Sequence, residues 1–208
     1  MQSSFFVKLR KEVIAIETQF MSFARRTTGY YNKSELLHCR AYISFCHSEV
    51  ETYLECIAGR QIDLAERRWL QKGTTNRVLL SLLCYSNEKR SIGENIFEQG
   101  SKNTLANAVN EAIRMQRQAI SKNNGIRRRN FSQLFVPIGI IENDVEELLV
   151  TELDNLGRHR GGLVHDTNGV SIERIRDPFT EEKKTIDNII SELAIFDLKF
   201  GKRLTPPR

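Results

Sequence analysis

Phe5-Phe6-Val7-Lys8-Leu9-Arg10-Lys11-Glu12-Val13-Ile14-Ala15-Ile16-Glu17-Thr18-Gln19-Phe20-Met21-Ser22-Phe23 carries Phe6, Leu9, Val13, Ile16, Phe20 and Phe23 at intervals of three, four, three, four and three residues. An α-helix repeats about every 3.6 residues, so this spacing draws one apolar stripe along a helix and is incompatible with the alternation of a strand. The stretch predicts a first helix running to about Arg26, and the same signature recurs along the chain.

Working outward, Thr27 to Asn32 breaks the pattern, and Asn32-x-x-Glu35 has the form of a capping box with Asn in place of Ser or Thr. A second helix is expected from about Ser34 to Ala58, with Gly59 as its C-terminal stop. Ile62 to Gln71, Thr74 to Tyr85 and Thr104 to Ala119 read as further helices, separated by Gly73, Ser86-Asn87, Gly93 and Gly100. Ser121 to Asn130 is polar and basic, and with Phe131 to Pro137 it is expected to form a flexible loop. Ile140 to Leu156 is helical again, ending at Gly157. Thr167-Asn168-Gly169-Val170 and Arg176-Asp177-Pro178 suggest a turn and an irregular excursion before a final helix from Thr180 to Phe200. There is no internal repeat and no βαβ rhythm. The expectation is an all-α, up-and-down bundle with additional short helices, a single domain over residues 1–200 and a flexible basic tail at 201–208.

With 208 residues and 40% hydrophobic content the chain can bury one proper core. Thirty-one Lys and Arg against twenty-six Asp and Glu give a net charge of +5, a balance that favours polyanionic partners, nucleic acid first among them. No apolar run approaches a bilayer's thickness, and the opening residues lack the form of a secretory signal. Cys39, Cys46, Cys56 and Cys84 show no tight pairing motif and suit reduced thiols. These features predict a cytoplasmic protein without a membrane segment.

The richest chemistry lies in Arg158-His159-Arg160-Gly161-Gly162-Leu163-Val164-His165-Asp166, which holds two of the four histidines. Histidine exchanges a proton near neutral pH, and arginine stays charged and can clamp a phosphate with two parallel hydrogen bonds. Together they suit cleavage of a phosphodiester. On an unbroken helix, positions five apart differ by about 140° and positions seven apart by only about 20°, so Arg158 rather than Arg160 would align with His165. A helix restarting at Gly161-Gly162 would instead let Arg160 fold back beside His165. Read by itself, the stretch is also compatible with a basic helix end whose arginines face water.

Following a long helix, this segment resembles the Arg-x(4–6)-His signature of HEPN domains, helical bundles that include many prokaryotic ribonuclease toxins; Arg160 and His165 have its four-residue spacing. Arg40-Ala-Tyr-Ile-Ser-Phe-Cys-His-Ser-Glu-Val-Glu51-Thr-Tyr-Leu-Glu55 is similar to the early helix of the RiboL-PSP branch, and Val136-Pro-Ile-Gly-Ile140 leads toward the motif helix as in that branch. The resemblance spans roughly residues 35–200. Val164-His165-Asp166 departs from the Ala-His followed by a small or polar residue of many relatives. The resemblance implies metal-independent RNA cleavage: His165 moves a proton, Arg160 stabilises charge on the phosphorus oxygens, and a 2′,3′-cyclic phosphate and a 5′-hydroxyl result. It further implies a two-fold homodimer whose motifs share one cleft, in a toxin or antiviral effector restrained by an antitoxin or another regulatory partner. A non-catalytic HEPN module that binds RNA, a nucleotide or a protein is the alternative.

Arg158 and His159 are expected as supporting or phosphate-binding neighbours of the pair. Glu51, on the face of its helix shared with Arg40, is a candidate to orient Arg160 or His165, or else a solvated acid beside Glu49 and Glu55. Lys122, Arg127, Arg128 and Arg129 could follow an RNA backbone or simply solvate a loop. His38, Cys39, Cys46 and His47 invite a zinc reading, but helix-borne cysteines are more often small buried hydrophobes. No Gly-x-x-x-x-Gly-Lys-Ser/Thr segment occurs, and neither a metal nor a cofactor is expected. Trp69 reads as a core residue that could alternatively stack on a base.

Overall fold

The computed structural model describes residues 1–27, 30–86, 105–165 and 176–202, apart from the side chains of Glu142, Val164 and His165. It is all-α, a bundle of seven helices with no strand among the described residues. The helices are α1 (Ser4–Phe20), α2 (Lys33–Lys72), α3 (Arg77–Ser86), α4 (Leu105–Ser121), α5 (Arg128–Phe135), α6 (Glu147–His165) and α7 (Lys184–Phe200). Short 3-10 turns occupy Val136–Ile138 and Glu142–Asp144, and a π-helical segment, Pro178–Lys183, leads into α7.

The 40 residues of α2 form the axis, and every other helix packs against it. Its start is the expected capping box: the Asn32 side chain accepts from the Glu35 N–H at 2.9 Å, and Glu35 accepts from the Asn32 N–H at 2.8 Å. The expected stop at Gly59 is overturned, and the two helices drawn on either side of it are one. Cys39, Ile43, Cys46, Val50, Leu54, Ile57, Ala58, Ile62 and Ala65 continue a single fully buried stripe past the glycine. A mid-helix glycine costs about 1 kcal/mol relative to alanine, whereas a buried isoleucine contributes about 2 kcal/mol, so Ile57 and Ile62 decide the matter. The real terminus is Gly73, at φ 60°, whose N–H reaches the Trp69 carbonyl at 2.8 Å. Trp69 is partly buried against the core.

Other boundaries also moved for tertiary reasons. α1 stops at Phe20, and Phe23, expected on its stripe, packs instead with Tyr31 and Phe179 at centroid separations of 5.7 and 5.4 Å. The expected flexible loop is tied down. Gly125 N–H and Asn123 Nδ2 both donate to α2 carboxylates, those of Glu51 and Glu55, and Ile126 is fully buried. Arg128–Phe135, expected inside that loop, is α5, which inserts Phe131, Leu134 and Phe135 into the core. α6 begins at Glu147 rather than Ile140, because the chain first turns at Gly139, φ +83°, where a Cβ would lie 2.7 Å from Ser81 Oγ.

The start of α1 is tied to α2 and α7 through Asp197 on α7, 1% exposed. Its carboxylate accepts from the Ser3 N–H at 2.6 Å, from the Ser3 hydroxyl, and from the Tyr53 hydroxyl at 3.1 Å. Gly201, expected as the start of the flexible tail, is buried against Asp197 and belongs to the body, while 203–208 lie outside the described residues, as do 166–175 with the expected Thr167–Val170 turn.

Two stability changes of opposite sign follow. At Gly59 a Cβ meets no atom within 4 Å, so Gly59→Ala is expected to raise unfolding free energy by about 0.5–1 kcal/mol. Asp197→Ala strands buried donors on Ser3 and Tyr53 and is expected to lower it by about 3 kcal/mol. Urea denaturation followed by circular dichroism measures both, and a destabilising Gly59→Ala would contradict the continuous α2.

Candidate functional site

α6 passes without a break through Gly157 and Gly161-Gly162 to His165, so neither the stop expected at Gly157 nor a restart at the double glycine occurs. Leu149, Leu153, Leu156 and Leu163, all at or below 2% exposure, show why: they form the inward stripe of one helix packed on α2 and α7. Gly157 has a different task. A Cβ there would stand 2.7 Å from Arg127 Cγ, so the glycine admits the basic loop against α6.

An unbroken helix distributes the motif over three faces. Arg158 projects outward, 65% exposed, with Nε 2.7 Å from Asp154 Oδ2 one turn earlier. By rotation His165 lies on the same side of α6, about 20° from Arg158, and its side chain lies outside the described residues. Arg160 continues the inward stripe between Leu156 and Leu163, and its Nε is buried without a hydrogen-bond partner among the described residues. The helix therefore brings Arg158 and His165 into line and turns Arg160 about 140° from His165.

Arg160, partly buried, lies near enough to α2 for its charge to be felt there. Its charge acts on His47 and Glu51, one turn apart, whose Nδ1 and Oε2 are 4.0 Å from each other. Burial first, and Arg160 second, push the His47 imidazole down to about 4. Burial raises the Glu51 carboxyl and the neighbouring Glu55 adds to this, while the Gly125 N–H and Arg160 oppose it. Glu51 thus stands between the basic loop and Arg160, at neither the fully solvated position nor a direct hydrogen bond to the arginine.

The expected cations of residues 122–129 meet Arg158 in one open groove of about 1310 Å³. Lys122, Arg127, Arg128, Arg129 and Arg158 all line it, joined by amides of Asn123, Asn124 and Asn130. Two carboxylates hold the cations in place: Asp154 lies 3.5 Å from Arg127 Nε and accepts from the Arg128 N–H at 3.1 Å, and Glu147 pairs with the Arg128 guanidinium. Burial raises the Asp154 carboxyl, but the Arg128 N–H and Arg158 outweigh it and hold it below the usual range.

His159 turns to a third face and a second depression of about 590 Å³, which Arg158 and Arg176 also line. Its Nε2 is 2.8 Å from Oε1 of Glu182, a carboxylate 1% exposed, and Arg176 binds the same group through Nε at 3.2 Å and Nη2 at 3.0 Å. Burial raises the Glu182 carboxyl, yet the hydrogen bonds from His159 and Arg176 prevail and keep it below the ordinary carboxylate range.

Sequence reasoning passed over Glu182, Arg176 and Asp154 as site residues, and met His47 only as a possible zinc ligand. Asp154 had a legible signal, four residues before Arg158 on one helix face. Glu182 lies within Glu181-Glu182-Lys183-Lys184, a run of charges that carries no local signal of burial. Cys39 and Cys46 are wholly buried, with burial pushing both thiols up to about 12, and no group of three or more His, Cys, Asp or Glu among the described residues could hold a metal ion. Among the described residues no helix is long and apolar enough to cross a membrane. No family model, curated protein or solved structure matches the chain, so the reading of the site stands on these residues.

The buried His47 sets a pH dependence. The unfolded chain takes up a proton there below about pH 6.5 and the folded protein only near pH 4, so falling pH through that window favours unfolding, by about 3 kcal/mol at its end. Urea midpoints measured from pH 7.5 to 4.5 are expected to fall more steeply for the wild type than for His47→Gln; parallel curves would contradict the assignment.

Proposed function

We propose that this chain is an RNA endonuclease of the HEPN type, cleaving phosphodiesters at the outer end of α6 by proton transfer through His165 and charge stabilisation by the α6 arginines. The observation that carries the reading is the convergence of Lys122, Arg127, Arg128, Arg129 and Arg158 on one groove wall. A groove of fixed cations follows a polyanion's backbone without reading its bases. Arg158 is the arginine that faces this groove in line with His165, and Arg160 supports the helix from within.

In the proposed reaction the ribose 2′-oxygen attacks the adjacent phosphorus, its proton passes to a base, and the P–O5′ bond breaks as the 5′-oxygen takes a proton from an acid. The arginine stabilises the charge on the non-bridging oxygens, and a 2′,3′-cyclic phosphate and a 5′-hydroxyl remain. One His165 supplies one of the two proton transfers, and a homodimer that joined two motifs would supply both. A toxin or defence role, with a restraining partner, belongs to the same proposal.

One observation favours the alternative of a binding module without catalysis. Arg160, the arginine with the four-residue spacing to His165, has its Nε buried without a hydrogen-bond partner among the described residues, where a structural role suffices. Substitution separates the two readings.

Purified protein with labelled single-stranded RNA in excess EDTA is the test. Cyclic-phosphate products are expected from wild type, with a loss of about 100-fold or more in His165→Ala and in Arg158→Ala. Arg160→Lys, which keeps the charge, is expected to retain more activity than Arg158→Lys. RNA binding without cleavage by folded wild type would establish the module instead, and sedimentation of the same samples reports whether activity follows a dimer.

A further inference from the structure

Glu182 is the most deeply buried carboxylate facing the motif helix, and both its oxygens are occupied. Oε1 receives His159 Nε2 at 2.8 Å and the Arg176 N–H at 3.2 Å, and Oε2 receives Arg176 Nη2 at 3.0 Å. A carboxylate flanked by these donors is ionised and can only accept. The proton of a neutral His159 ring therefore sits on Nε2, which leaves the lone pair on Nδ1. Nδ1 has no hydrogen-bond partner among the described residues and is not one of the buried unpartnered atoms, and the ring, 18% exposed, lines the 590 Å³ depression. A buried acceptor that fixes the tautomer and stabilises the imidazolium, with the opposite nitrogen open to a cleft, is the arrangement by which a carboxylate makes histidine an efficient base.

The surroundings suit a phosphodiester. Arg158 and Arg176 line the same depression, and Arg158 lines the large basic groove as well. A phosphate held by Arg158 would thus lie where the two depressions meet, beside His159. Tying α6 to the turn before α7 does not by itself call for such groups, since a well-packed apolar pair holds two segments at least as firmly as a buried ion pair.

We propose that His159 is a proton-transfer residue for phosphodiester cleavage, its ring oriented by the buried carboxylate of Glu182, with Arg158 and Arg176 holding the phosphate. This rests on the ribonuclease reading above and extends it, because it assigns the base while His165 remains the acid. Nδ1 of neutral His159 takes the 2′-OH proton as the 2′-O–P bond forms. The P–O5′ bond breaks, its electron pair goes to the 5′-oxygen, and that oxygen takes a proton from an acid, the place that His165 of the second motif would fill in the proposed homodimer. The two histidines return to their starting states by exchange with water, and no oxidant or further reactant enters.

The test compares full-length wild type, His159→Asn, His159→Gly, Glu182→Gln and His165→Ala on single-stranded RNA in EDTA, each checked for fold by circular dichroism and thermal melting. Asn keeps a donor toward Glu182 but cannot carry the proton. His159→Asn is expected to remain folded and lose about 100-fold in kcat with KM within about threefold. His159→Gly is expected to regain part of its kcat with added imidazole, and Glu182→Gln to lose kcat without such rescue. Full kcat in His159→Asn beside an inactive His165→Ala would overturn the role of His159 and leave the ribonuclease reading standing. Loss in a folded His159→Gly that imidazole does not restore would make the residue structural and likewise overturn it. Failure of wild type to cleave RNA would remove the ribonuclease reading and this inference with it.

Discussion

The continuity of α2 through Gly59 is the constraint on which the rest depends. One helix of 40 residues, about 60 Å long, offers a single unbroken buried stripe, and all six other helices are set by where they meet it. Had the glycine stopped the helix, Ile62 and Ala65 would have left the line of Cys46, Val50 and Leu54, and α3 and α4 would have lost their common support. The energetic margin is favourable because backbone entropy at one glycine is small beside the burial of two isoleucines.

The same physics acts on α6 with a chemical result. Its inward leucines keep the helix intact past three glycines, and an intact helix cannot point Arg158, His159 and Arg160 in one direction. Each faces a different environment: Arg158 an open basic groove, His159 a shallow depression backed by Glu182, and Arg160 the interior beside His47 and Glu51. Gly157 contributes by what it lacks. Without a side chain it lets Arg127 cross α6 closely enough for the loop and the helix to form one wall.

Carboxylates serve as joints throughout. Asp197 fastens the first residues to α7 and α2, Glu51 fastens the 123–125 loop to α2, and Glu182 fastens α6 to the turn before α7. Each is buried or half-buried and supplied with several donors, the condition under which an internal charge is tolerated. Glu182 differs from the others because one of its donors is an imidazole at the wall of a depression, which turns a joint into part of a candidate site.

The sequence by itself determined the all-helical class, the capping box at Asn32 and Glu35, and the cluster of basic residues at the end of α6, because periodicity and capping are local and are written in neighbouring positions. It read Gly73 correctly as a stop but misplaced helix ends at three other glycine sites. Gly59, Gly157 and Gly161-Gly162 all read as breaks, and only the packing of Ile57, Ile62, Leu153, Leu156 and Leu163 showed that they are not. α5 was illegible for the opposite reason, since eight residues with three apolar side chains carry too short a pattern to stand out. Which arginine faces outward, and that Glu182 stands behind His159, were decided by tertiary structure alone: rotation about an unbroken helix is set by core burial, and a carboxylate 23 residues away in sequence becomes a partner only when two helices pack.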